Sequence, residues 1–177
     1  MTDAVSPELA RRIGVMSADV PDAEPQTMLD WALHYAAREF FVFPAEPHLG
    51  RSYVKNWYND ATLDPKTIKE WFAKIDDDVD WYNADIGAVP DKSGHYVLSA
   101  HYDEGGIESL DELIAEFGPL PAEFDYLDRW GSRFLWMKGC AYTSHHRIGE
   151  GLHVLGAGHC VFLPPSYTPH RNFAKRG

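Results

Sequence analysis

His95-Tyr96-Val97-Leu98-Ser99-Ala100-His101-Tyr102-Asp103-Glu104-Gly105-Gly106 is the stretch on which the fold turns. Residues 95–102 alternate with the period of a strand, which places Ser99, His101 and Asp103 on one face and Ala100 and Tyr102 on the other. After the glycine pair, Ser109 with Glu112 three residues on reads as a capping box, predicting a helix over 110–117 that Gly118-Pro119 stops. Ahead of it, Ala84-Asp85-Ile86-Gly87-Ala88 and the turn residues Asp91-Lys92-Ser93-Gly94 predict a hairpin leading into the strand.

Further out, Met28, Leu29, Trp31, Ala32, Tyr35, Ala36 and Phe40 recur at helical spacing and predict an amphipathic helix over 27–40. Phe41-Val42-Phe43-Pro44 reads as a short buried strand. Asp64-Pro65 supplies an N-cap and a proline suited to the first helical position, so a second helix runs through Ile68, Trp71, Phe72 and Ile75 to the acidic run Asp76-Asp77-Asp78. Short apolar runs over 133–137, 151–155 and 159–163 predict more strands. The expected class is α+β, a mixed or antiparallel sheet flanked by helices. Residues 1–25, polar and carrying Pro7 and Pro21, read as a flexible arm ahead of a single domain over 26–177.

Composition bounds the function. The chain has 177 residues, of which 45% are hydrophobic and 14% aromatic, enough to fill one core. Its formal charge is -11, and DNA binding rests largely on Lys and Arg neutralising phosphates, so no strong nucleic-acid binding is expected. The basic residues Arg171, Lys175 and Arg176 read as a solvated tail. Two cysteines, Cys140 and Cys160, fit a reducing compartment and exclude a disulfide scaffold. With no secretory signal and no apolar run of membrane-spanning length, the expectation is a cytoplasmic protein without membrane association.

Five stretches, taken in order, resemble the bifunctional DNA primase/polymerase N-terminal domain of the archaeo-eukaryotic primase superfamily. They are Tyr35-Ala36 with Val42-Phe43-Pro44; Ala61-Thr62-Leu63-Asp64-Pro65 with Ile68 and Trp71; Ala84-Asp85-Ile86-Gly87; Gly105-Gly106 with Ser109-Leu110 and Gly118-Pro119-Leu120-Pro121; and Gly151-Leu152-His153-Val154 with Pro164-Pro165-Ser166. The resemblance spans about residues 27–168. In that family an acidic-x-acidic strand, a nucleotide-contacting His and a third Asp serve two-metal nucleotidyl transfer, which needs hard oxygen ligands. Here the resemblance sets Ser99-Ala100-His101 at the acidic motif, Phe134 at the nucleotide-contacting His, and His153 at the third Asp. It therefore implies a primase-polymerase fold with a degenerate active site, one that is not a polymerase.

Several chemistries stay open at these positions. His101 and His153 with Asp103 make a set suited to Fe(II), or to Zn²⁺ with another third ligand; without a metal the two imidazoles suit proton transfer near neutral pH. They are equally read as hydrogen-bonded fillers. His145-His146-Arg147 reads either as an anion contact or as a solvated loop. Phe134, Trp136 and Trp130 read as pocket lining or as core, and Phe134 in place of a polar contact suits a smaller, less charged ligand. His159 and His170 around Cys160-Val161-Phe162-Leu163-Pro164 also resemble, in part, the second motif of cupin barrels, without its glycine at Ser166 and without an upstream His-x-His. The leading expectation is a protein that binds or transforms a small molecule in the former nucleotide cleft through His101, His153, Ser99 and Asp103. An inactive regulatory or protein-interaction module comes second, and an active primase-polymerase third.

Overall fold

A computed structural model describes residues 25, 27–76, 84–139 and 145–167. Most of the arm, Asp77, Asp78, Cys140, His170 and the basic residues Arg171, Lys175 and Arg176 lie outside the described residues.

Helix α1 spans Met28–Ala36 behind a reciprocal cap in which the Asp30 amide donates to Thr27 Oγ1 at 3.1 Å and the Thr27 amide donates to the Asp30 carboxylate at 3.0 Å. It stops four residues short of the expected end. Glu39 takes φ 66°, a left-handed turn that redirects the chain while Phe40 still packs into the core. Strand β1 (Val42–Ala45), the short α2 (Trp57–Asp60) and α3 (Pro65–Asp76) follow. As expected from Asp64-Pro65, the Asp64 carboxylate accepts from the amides of Lys66 and Thr67 at the start of α3.

Next come β2 (Asp85–Ala88), β3 (His95–Ala100), a 3-10 turn (Tyr102–Glu104), α4 (Gly106–Phe117), β4 (Ala122–Leu127), β5 (Arg133–Lys138), β6 (His145–Gly149), β7 (Leu152–Leu155) and β8 (Val161–Leu163). They build two sheets, β1-β2-β8 and β4-β5-β3-β7-β6, and every strand pair is antiparallel. The architecture is α+β, as the sequence predicts.

Four local expectations are corrected. The segments 84–88 and 95–102 are not a hairpin, because β2 is flanked by β1 and β8 and has no free edge for β3, which joins the other sheet. Strand β3 ends at Ala100, where the chain turns into the 3-10 helix. Helix α4 begins at Gly106, so Ser109 is no cap; its hydroxyl lies inside the first turn and donates to the Gly105 carbonyl at 3.0 Å. Strands β4 and β6 went unpredicted. Both are edge strands: β6 is almost wholly exposed and needs no apolar face, while β4 turns Phe124 and Tyr126 toward the core.

The five-stranded sheet is covered on both faces. One face presents Val97, Tyr126, Phe134, Trp136 and Leu155 to α1, α3 and the smaller sheet; the other presents Leu98, Ala100, Leu135 and Leu152 to Leu110 of α4. Polar ties join the layers: the Tyr126 hydroxyl donates to the Phe162 carbonyl at 2.6 Å, and Tyr35 donates to Pro164 at 2.8 Å. Among the described residues no helix is long and apolar enough to cross a membrane.

Candidate functional site

The site starts from register. Ser99 lies opposite Phe134 of β5 on one side and His153 of β7 on the other, and His153 lies opposite Arg147 of β6. Directly opposed residues share a sheet face, so one row across the strands carries Phe134, Ser99, His153 and Arg147. His101 continues the same face just beyond β3, with Nε2 3.3 Å from the Ser99 Oγ. The Ser99 hydroxyl is also 3.4 Å from the His153 carbonyl, and its residue is fully buried.

Glycines hold this row in place. The His101 amide donates to the Gly151 carbonyl at 2.8 Å, and the Gly106 amide donates back to the His101 carbonyl at 2.9 Å. A Cβ on Gly106 would stand 2.4 Å from both Gly151 O and His101 N. Gly105 (φ 73°) and Gly151 (φ 59°) take backbone conformations that L side chains rarely adopt. The Gly105-Gly106 pair thus packs β3's exit directly on the β6–β7 turn, which brings His101 and His153 together.

The result is a run of rings. Tyr126 and Phe134 stack with centroids 5.2 Å apart, Phe134 meets His101 at 6.3 Å, and His101 meets His153 edge to face at 5.1 Å. His145 of β6 joins next, its Nε2 2.9 Å from His153 Nδ1, and His159 lies beyond it with centroids 5.6 Å apart. On the far side of His153, Nε2 is 3.4 Å from the Glu104 carboxylate. His153 is mostly buried (15% side-chain exposure), Glu104 is half-exposed, and His145 is exposed. Partial burial, and then the neighbouring His153, His159 and His146, push the His145 pKa below its usual value.

The sequence-predicted residues divide accordingly. Ser99, His101, His153, His145 and Phe134 come together, and Arg147 shares their face. His146 pairs with Val154 and faces the other way. Trp136 is fully buried against Phe40 and His95, in the core. Trp130 is exposed in the β4–β5 turn. Asp103 does not share the Ser99 and His101 face by strand alternation, because it sits in the 3-10 turn; it lies near enough to Asp128 to help raise that carboxyl's pKa, after burial and against the backbone amides of Ser132, Trp130 and Gly131. The sequence reading missed Glu104 as a partner of His153. Strand parity puts residue 104 on the wrong face, and only the 3-10 turn brings it round.

Among the described residues no group of three or more His, Cys, Asp or Glu side chains is disposed to hold a metal ion. Of the Fe(II) or Zn²⁺ set built on His101, His153 and Asp103, the two imidazoles meet while Asp103 sits in the 3-10 turn, and His153 Nδ1 is in hydrogen-bond contact with His145 Nε2.

The family model described as bifunctional DNA primase/polymerase, N-terminal, matches residues 32–175. No curated protein matches the chain.

Proposed function

The chain belongs to the bifunctional DNA primase/polymerase N-terminal family, and on that premise we propose that it is a member that does not polymerise and instead binds or transforms a small molecule at the histidine row. The observation that carries this reading is the convergence of Ser99, His101 and His153, three residues that the resemblance aligns with metal-binding carboxylates, into one contact set. A hydroxyl and two imidazoles do not fit Mg²⁺, which demands oxygen ligands in near-octahedral order. They do fit hydrogen bonding and proton transfer to a small polar ligand. Phe134, standing where the family has a polar nucleotide contact, closes the inner end of the row as buried core, and Arg147 on the same face supplies a cation at its outer end.

A second reading, an inactive interaction module, draws support from the exposed Tyr102, Leu127 and Trp130, which cluster where the 3-10 turn meets the β4–β5 turn. A thermal-shift screen of the full chain separates the two. Stabilisation by a small carboxylate, phosphate or amide, lost in His153→Ala, supports the small-molecule reading, since a ligand that binds only the folded state raises Tm. Stabilisation by Mg²⁺ with a nucleoside triphosphate alone contradicts it, and so does no response to any compound.

A further inference from the structure

We infer that Glu104, His153 and His145 form a proton relay that ends at Nδ1 of His145 and makes that nitrogen the general base of the site. The inference rests on the small-molecule reading and adds its reaction class: transfer of a proton from an acidic X–H group of the ligand, where X is oxygen or nitrogen.

Geometry sets the direction. A carboxylate only accepts hydrogen bonds, so the 3.4 Å contact from His153 Nε2 to Glu104 requires the His153 proton to sit on Nε2. Neutral His153 then offers a bare Nδ1, and the 2.9 Å contact from His145 Nε2 makes His145 the donor there. That leaves the lone pair of neutral His145 on Nδ1. The two rings are inclined by only 22° with centroids 5.0 Å apart, as end-to-end hydrogen-bonded imidazoles require. A buried carboxylate–imidazole pair works in the same sense in hydrolytic triads, where the carboxylate fixes the tautomer and stabilises the imidazolium; here a second imidazole extends the line to an exposed residue.

The step balances without a co-reactant. The ligand's X–H bond breaks with its electron pair left on X, and the proton goes to His145 Nδ1. The new imidazolium shares its Nε2 proton with His153, and the positive charge is offset by the Glu104 carboxylate. Return of the proton to product or water restores the site. The neighbourhood keeps polar capacity to spare, because His159, next to His145, has a buried Nδ1 without a hydrogen-bond partner. The titratable and charged groups around His145 are His146 and Arg147 on β6, His153 on β7, His159 ahead of β8, and, through His153, Glu104 and His101. Partial burial, and then the adjacent histidines, lower the His145 pKa from its usual value, which favours the neutral form a base needs.

Glu104 is on this account a positioning residue, and histidine-ring NMR on the full chain without ligand tests it. The expected result is Nε2-protonated tautomers for both His145 and His153 at neutral pH. Glu104→Ala removes the acceptor of the His153 Nε2 proton and is expected to release His153, and His145 with it, to a mixture of ring tautomers. An Nδ1-protonated His145 overturns the relay, as do unchanged ring tautomers in a Glu104→Ala protein whose backbone spectrum is otherwise native. Because no ligand is present, the relay can fail while ligand binding at the row survives, and the thermal-shift screen can fail while the tautomers hold.

Discussion

The imidazoles of His101 and His153 meet edge to face with centroids 5.1 Å apart, although 52 positions of chain separate them. Their meeting depends on the Gly105-Gly106 contact with Gly151, so the glycines belong to the site as much as the histidines do.

Gly106→Ala is expected to test that dependence. Its new methyl would stand 2.4 Å from two backbone atoms, neither the end of a flexible side chain, and overpacking of this kind costs about 1–3 kcal/mol. Urea unfolding should show the midpoint falling at unchanged slope, together with moved ring signals from His101 and His153. An unchanged midpoint would mean that the turn is not packed as described.

Templated nucleotide transfer is expected to be absent with either Mg²⁺ or Mn²⁺. Primer extension checks this. Template-dependent incorporation abolished by Asp103→Ala would put the acidic motif at Asp103-Glu104 and return the chain to the polymerases.

With a charge of -11, the protein should show no salt-sensitive affinity for DNA at physiological ionic strength. Fluorescence anisotropy decides the matter, because phosphate contacts make affinity fall steeply with salt. Tight binding with a steep salt slope would reveal a basic groove.

Stability should decline as pH falls below the ordinary histidine value. Burial first, then neighbouring charge, lowers the pKa of both His34 (Arg38) and His145 (His153, His159 and His146) from 6.5. The unfolded chain therefore binds protons that the folded one resists, and the contribution is fully present above pH 6.5 and is lost as pH drops through the depressed folded values. Tm measured from pH 8 to 5 should fall in the lower half, and His145→Asn should flatten the slope. A Tm that stays level or rises toward pH 5.5 contradicts this.

The α+β class, the Asp64-Pro65 helix start, the Gly118 helix stop and the meeting of His101 with His153 could all be anticipated, because each rests on local chemistry or on the family resemblance. Other features lay beyond local pattern. Strand β6 carries His145-His146-Arg147 on an exposed edge, where no apolar alternation marks it. The β2–β3 connection looks like a hairpin over a few residues, and only the competition of β1 and β8 for both edges of β2 sends β3 to the other sheet. Glu104 reaches His153 because the chain leaves strand geometry after His101, a change that Gly105-Gly106 signals without giving its direction.

The account stands most directly on one titration: histidine-ring NMR spectra of the full chain with a panel of small carboxylates, phosphates and amides, and with Mg²⁺ plus a nucleoside triphosphate. It predicts that the His101 and His153 ring signals move together and saturably with at least one small molecule, and that Mg²⁺ with the triphosphate leaves them in place. Rings that answer only to the metal and triphosphate, or to nothing in the panel, would contradict it.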